Sequence, residues 1–371
     1  MEKIDNTVFM NIHRSIIIIF IILAILLPSC DKSIDPKPPK SIRDYTWTID
    51  TLELPDPFQN LMSSMYAANE NDIYLVGHNS TGDFNGGMWN YNGEEWATVK
   101  VREQVGAYGT LNAVHGSAPN NIWAVGGSFE YATILQYNGI KWKKHLAETS
   151  DGIYGTPLSK NNVYSVYVES ETAIWACDNG GLVYHYDGNN WEIDTIKVVA
   201  LDSLDVFQLY NIVKYNDEIF VTGVKRQSNE GWGELFLLKK NGSIWEIEES
   251  SDYGIGDPKF DVRLFVSQTN NFYSLGTGGI YLRLNKQWKN IFSIESSIND
   301  ISVESENNIL AVGSFGKVFH YNGNDWYQIT ELEQFSEIYV DVQLFTKSDE
   351  AIIVGWLLDG YPQKTIVAHG K

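Results

Sequence analysis

From Tyr45 onward the chain is written in short apolar runs broken by polar turns. "DIYLVG", "NIWAVG", "AIWACD", "EIFVTG", "FYSLG", "NILAVG" and "AIIVG" are each five or six residues long and are flanked by Asn, Asp, Gly or Glu. Such runs are too short for helices and are rich in β-branched and aromatic residues, so they predict strands. An apolar strand comes before each ("LNAVHGS", "VYSVYVES"), with a polar turn between ("APNN", "ESET", "SENN"). A loop of varying length follows, then an aromatic strand, a tight turn and a strand that opens on tryptophan. "VFHYNGNDW", ending at Trp326, is the clearest copy of this last piece; "MWNYNGEEW", "ILQYNGIKW", "VYHYDGNNW", "FLLKKNGSIW" and "IYLRLNKQW" are the others. In the aromatic strand successive side chains face opposite sides, so Phe319 and Tyr321 oppose Val318 and His320. Asn-Gly accepts the positive φ of a tight hairpin.

Each copy therefore holds four strands, and the copies recur. Trp96, Trp142, Trp191, Trp245, Trp288 and Trp326 are separated by 46, 49, 54, 43 and 38 residues. Four short strands repeating every 40–50 residues predict a β-propeller. Solenoid repeats are shorter or helical, and sandwiches do not repeat one motif. The second-strand pattern occurs seven times, but the Trp strand follows only the first six. The missing piece lies at the other end: "YTWTIDTLEL" starts at Tyr45, and Trp47 is 49 residues ahead of Trp96. The expectation is an all-β, seven-bladed propeller of four-stranded antiparallel blades over residues 45–371. An N-terminal strand completes the last blade and removes an exposed edge.

Residues 1–29 read as an address. Lys3, His13 and Arg14 precede an apolar run of 12 residues from Ile16 to Leu27. That is too short for a spanning helix of about 20 residues and suits the core of a secretory signal peptide. "LPSC" (Leu27 to Cys30) resembles the bacterial lipobox. The resemblance implies cleavage before Cys30, diacylglycerol and acyl chains on that residue, and firm attachment to a membrane. Residues 30–44, rich in charge and proline, then read as a tether. The location implied is the bacterial cell envelope, extracytoplasmic, at the outer membrane or cell surface rather than the inner membrane.

Composition narrows the partners. Aromatic residues make up 13% of the chain, Gly 31 and Pro 10 supply turns, and 47 acidic residues against 27 basic ones give a net charge of −20. Nucleic acid is excluded as a partner on that balance. The two cysteines cannot build a disulfide framework, and Cys177, inside "AIWAC", reads as a buried thiol.

The Y-[N/D]-G-x-x-W element is similar to the Asp-box of sialidase-type propellers, where a Gly-x-x-Trp hairpin joins the third and fourth strands, although the serine and aspartate positions of a full Asp-box are absent. The resemblance implies fold rather than chemistry, because that hairpin lies away from the active face. No Gly-x-Ser-x-Gly, His-Glu-x-x-His, P-loop or metal-type Cys pair is present. "GTGG" (Gly276 to Gly279) joins two strands and has no helix behind it. His185 and His320 occupy matching places in two aromatic strands and read as packing residues. Asp252, Asp257 and Asp261 are spaced too loosely for a calcium loop. A sialidase-like enzyme would need three converging arginines out of Arg102, Arg226, Arg263 and Arg283, and no Glu–Tyr pair stands out beside them.

The loops between second and third strands are long in the first, fourth and seventh copies, where function would collect. Tyr108, Tyr154 and Tyr253 occur in Tyr-Gly pairs in the copy-to-copy loops. With Trp232 they form a candidate ligand-binding platform on one face. The expected function is a membrane-anchored binding or scaffold module for a protein, without cofactor or metal and without enzymatic activity. The alternatives are a glycan-binding propeller and, further off, a divergent glycosidase.

Overall fold

The computed structural model describes residues 40–55, 58–80, 87–106, 109–127, 132–145, 162–227, 230–254 and 259–371. Strand β1 (Trp47–Leu52) is followed by β2 (Gln59–Asn69), β3 (Asp72–Asn79), β4 (Met88–Tyr91) and β5 (Trp96–Thr98). Next come β6 (Thr110–Ala118), β7 (Asn121–Gly127), β8 (Ala132–Tyr137) and β9 (Trp142–His145), then β10 (Val163–Ser170), β11 (Ala173–Asp178), β12 (Leu182–Tyr186) and β13 (Trp191–Thr195). β14 (Asp205–Tyr215), β15 (Glu218–Gln227), β16 (Gly233–Asn241) and β17 (Ile244–Tyr253) precede β18 (Arg263–Val266), β19 (Phe272–Leu284), β20 (Gln287–Ser305), β21 (Asn308–Gly313), β22 (Val318–Tyr321) and β23 (Trp326–Gln328). The chain ends with β24 (Ile338–Phe345), β25 (Glu350–Leu357) and β26 (Gln363–Gly370). Among the described residues the one α-helix is the single turn Val101–Val105, and no helix is long and apolar enough to cross a membrane.

β6–β9, β10–β13 and β14–β17 are three four-stranded antiparallel sheets. β18–β23 form a six-stranded sheet, and β24-β25-β26-β2-β3-β4-β5 a larger one that carries β1 on β26. The larger sheets are fusions of smaller pieces. β26 and β2 share two parallel pairs, Gln59↔Gln363 and Asn60↔Lys364. β20 pairs with β19 up to Ser297 and with β21 from Ile298 onward. β1 runs antiparallel to β26 from Trp47↔Gly370 to Leu52↔Thr365. The packed chain starts before β1, because Ile42 and Tyr45 are buried among Leu310, Val312, Leu332 and Tyr339. Packed residues are thus found ahead of Tyr45, where the strand pattern starts.

The innermost strands β2, β6, β10, β14, β18, β20 and β24 surround a central cavity of ≈ 530 Å³. They carry a repeated irregularity. A bulge displaces Ser63, Asn112, Tyr164, Tyr210, Asn299 and Val340, opposite the end of the second strand. The Val-Gly at the end of the second strands now has a reason: a Cβ on Gly126 would lie 1.9 Å from the Thr110 carbonyl oxygen. The bulge brings the inner strand that close, and only glycine fits.

The tryptophan hairpin explains itself in the same way. Asn92, Asn138, Asp187 and Asn322 each accept the backbone N–H groups two and three residues on, closing the turn. Tyr91, Tyr186 and Tyr321 donate their hydroxyls to the turn glycine carbonyls and lie 5.0–5.1 Å from Trp96, Trp191 and Trp326. The tryptophans pack back onto the preceding sheet: Trp142 on Tyr74, Trp191 on Trp123, and Trp288 on the cluster that holds Val213 and Phe220. The motif joins sheets, and that is why it recurs.

Candidate functional site

Because strands alternate in direction, the loops from second to third strand emerge on the same face as the connections into each innermost strand. Trp232 sits in the β15–β16 loop, and Tyr253 ends β17 across from Gly233. The main chain of Gly254 lies against Gly231 and Trp232, which puts both aromatic residues on one rim. Trp232 is 48% exposed. Tyr253 lines a pocket of ≈ 380 Å³ and hydrogen-bonds Tyr210, whose hydroxyl burial pushes up to about 12. Tyr108 and Tyr154, like Cys30 and Asp257, lie outside the described residues.

The pocket has an apolar floor of Leu235, Phe260, Leu275 and Ile298, with Asp252, Arg263 and Thr277 at its sides. Asp261 is buried in its wall and accepts from Val262 N at 2.6 Å and Thr277 N at 2.7 Å, so it fixes the main chain of β19 at the Gly276–Gly279 stretch, which runs within one continuous strand and does not join two. Burial raises its carboxyl, and the two N–H donors and Arg263 hold it down in part. Among the described residues no group of three or more His, Cys, Asp or Glu is placed to hold a metal ion.

Arg263 also lines the central cavity. It belongs to a column of equivalent positions that the bulges define. Ser64, Ala113, Ser165, Asn211, Arg263, Asp300 and Asp341 each pair with the residue just before the end of the second strand. Most of them clasp the next innermost strand. Ser64 accepts from Val114 N, Ser165 from Ile212 N, Asn211 from Leu264 N, Asp300 from Val342 N, and Asp341 from Met65 N. Ala113 lacks the atoms, and its neighbour Asn112 donates to the Val163 carbonyl instead. Arg263 reverses the polarity: its Nη1 donates to the carbonyls of Asn299 and Val340.

Asp300 and Asp341 stand side by side in the cavity wall and are hydrogen-bonded to each other. Enclosure by protein raises both carboxyls, and the Asp300 charge adds to the rise at Asp341; Arg263 and the main-chain N–H groups oppose it. The pair therefore keeps a proton to higher pH than separate carboxyls would. Two directly bonded carboxyls are too close to flank a glycosidic bond, which needs roughly 5–9.5 Å between them. The arginines do not converge either. Arg283 pairs with Glu248 and Arg226 donates to Gln208, leaving Arg263 as the one arginine of the four that lines the cavity. The arginine cradle of a sialidase-like site is not formed.

The two histidines are packing groups, as expected. His185 stacks on Trp175 at 3.8 Å, and His320 bonds Asn308 at 2.9 Å while its Nδ1 accepts from Arg43 Nε. His115, unnoticed in the sequence, is held between Tyr66 and Tyr167 in the cavity wall. Its Nδ1 accepts from Val168 N, and burial lowers it to about 4, so the ring is neutral.

The loop-rich face exposes apolar side chains that sequence reading passed over. Phe58 and Tyr361 are stacked at 4.5 Å yet are 55% and 67% exposed. The loop carrying Tyr361 is pinned by Glu337, whose carboxylate accepts from Leu358 N and Asp359 N. The carbonyl of Glu337 accepts from Gly316 N, next to Phe315, which is 75% exposed and held at φ 58°.

No family model and no curated protein matches the chain. Solved structures do. "YCF48 bound to D1 peptide" is 16% identical with a TM-score of 0.58, over 88% of this chain and 97% of that one. PorZ, a surface component of the type-IX secretion system of Porphyromonas gingivalis, is 13% identical with a TM-score of 0.57, over 85% of this chain and 47% of that one. The extracellular domain of the putative one-component system BT4673 from B. thetaiotaomicron is 13% identical with a TM-score of 0.55, over 83% and 40%. At these identities the likeness is one of fold, and the fold is a β-propeller of four-stranded antiparallel sheets.

Proposed function

We propose that this chain is a seven-bladed, lipid-anchored propeller of the bacterial cell envelope that binds a protein partner on its loop-rich face. Cutting the large sheets between β26 and β2 and within β20 leaves three four-stranded units and β18-β19-β20, in which the long β19 pairs with β18 by its first part and with β20 by its second; the count of seven is supported by the apolar clusters. Among the described residues there are seven, each lying between consecutive units. β1 completes the last unit. Signal-peptide removal ahead of Cys30, its lipidation and the extracytoplasmic location rest on the "LPSC" stretch and the apolar run before it.

The observation that carries the binding role is where the exposed apolar groups lie. Of the twelve exposed large apolar side chains among the described residues, seven (Phe58, Val198, Leu201, Leu204, Trp232, Phe315 and Tyr361) are in loops of one face, against Ile140, Ile244 and Leu284 at the opposite hairpins. Leaving such side chains in water is unfavourable, and rigid exposed aromatics are what protein interfaces use as anchors. Tyr108, Tyr154, Tyr253 and Trp232 are the proposed contacts of this surface, with the Phe58–Tyr361 pair and Phe315 beside them. The neighbouring folds support a binding role, since one was solved with a peptide bound.

The test is a photo-crosslinking amino acid placed in living cells at 232, 315 or 361, and at 140 or 244 on the opposite hairpins. Adducts of defined mass from the first three positions alone support the reading. Equal adducts from both sets, or none, contradict it.

A further inference from the structure

Arg263 has bonding capacity that no described residue uses. It is exposed, and it stands where the ≈ 380 Å³ pocket and the central cavity meet, lining both. Nη1 is held by two main-chain carbonyls, which fixes the plane of the guanidinium. A guanidinium has five N–H donors. The edge formed by Nε and Nη2, which grips a carboxylate in a two-bond fork, has no partner among the described residues. Arg43 and Arg283, by contrast, are paired with Asp325 and Glu248.

The nearby carboxyls are already engaged. Asp261 accepts two main-chain N–H groups. Asp300 and Asp341 bond each other and the N–H groups of Val342 and Met65. Asp252 is exposed on the rim, where solvent and salt screen it. Leu235, Phe260, Leu275 and Ile298, all buried, line the same pocket as Arg263.

We propose that this pocket receives the carboxylate of a polypeptide segment, forked onto Arg263, with an adjoining apolar side chain against the floor. The proposal rests on the protein-binding reading of this face and states what the face recognises. A polypeptide fits better than a sugar acid, because the pocket offers one charged fork and an apolar lining, and a sugar ring needs many directed polar groups.

The test uses the detergent-solubilised full chain and fluorescence anisotropy with three labelled hexapeptide pools ending in apolar residues. One has a free C-terminal carboxylate, one is amidated, and one is amidated with an internal Glu. We expect the free-acid pool, the internal-Glu pool or both to bind at least tenfold more tightly than the neutral amidated pool, and the arms show which source of carboxylate is used. Arg263→Gln should erase the difference. Thr277→Glu, at an exposed pocket residue, should block binding from within by offering Arg263 a carboxylate, with an unchanged unfolding midpoint. Equal binding of all pools, indifference to both substitutions, binding of glucuronate or sialic acid in place of the peptides, or no binding would overturn the proposal. Crosslinks confined to the loop-rich face with indifferent pools would remove this proposal alone; loss of both would remove the protein-binding reading too.

Discussion

Replacing Asp300 by Asn should make the protein more stable at alkaline pH and nearly unchanged in acid. Asp300 sits against Asp341, and enclosure raises its pKa from 3.8 to about 6. A carboxyl that holds its proton more tightly folded than unfolded makes stability fall as pH rises. The loss begins near the unfolded value, is complete above the folded one, and amounts to about 3 kcal/mol for this displacement. The figure belongs to the pair, since the two carboxyls share the proton. Asn at 300 supplies that hydrogen permanently: its amide can donate to Asp341 and its carbonyl can accept from Val342 N. Urea unfolding of wild type and Asp300→Asn at pH 4 and pH 8, with m unchanged, isolates the effect. The advantage of the variant should grow by about 2 kcal/mol or a little more between the two pH values, since part of the loss has already occurred at pH 4. A difference that is flat with pH, or that shrinks as pH rises, would refute the assignment of a shared proton at the clasp.

Other outcomes follow from the same structure. Gly126→Ala puts a methyl 1.9 Å from the Thr110 carbonyl oxygen, so the bulge must move; a loss of several kcal/mol in urea unfolding is expected, on the order of overpacked core sites, and a neutral result contradicts the account of Val-Gly. Phe315→Gly should stabilise by about 1 kcal/mol by releasing positive φ on a bulky residue, while weakening partner crosslinking from the neighbouring position 361. Cys30→Ser should abolish labelling with radioactive palmitate and move the protein into the soluble fraction; a variant that stays labelled and membrane-bound places the anchor elsewhere.

Much of the architecture is legible in the sequence because it repeats. The Asn-Gly turn and its tryptophan recur since every sheet must pack on the one before, and the orphan strand at Trp47 is readable because the last copy lacks its own. The site is not legible, because it is where the copies differ. Asp300, Asp341 and Arg263 fall in the column whose other members are Ser64, Ala113, Ser165 and Asn211, and their shared place depends on a bulge that no local pattern announces. Aligning the innermost strands on the Val-Gly that follows would have exposed the column, and Arg263 as its one cation. Phe58 and Tyr361 are far apart in sequence and meet only because β2 and β26 touch at Gln59 and Gln363. Ile42 looked like tether because it precedes the first strand pattern, yet it is buried in the cluster that holds Leu310, Val312 and Tyr339.

The ring of sheets is closed by β1 lying on β26. Ile49 and Ala368 are directly opposed across that pair, and the described cysteine, Cys177, is buried elsewhere. Ile49→Cys with Ala368→Cys should therefore form an intramolecular disulfide on mild oxidation, seen as a loss of two free thiols and a raised unfolding midpoint. Two thiols that stay free in the folded protein, or that join only between molecules, would contradict the closure.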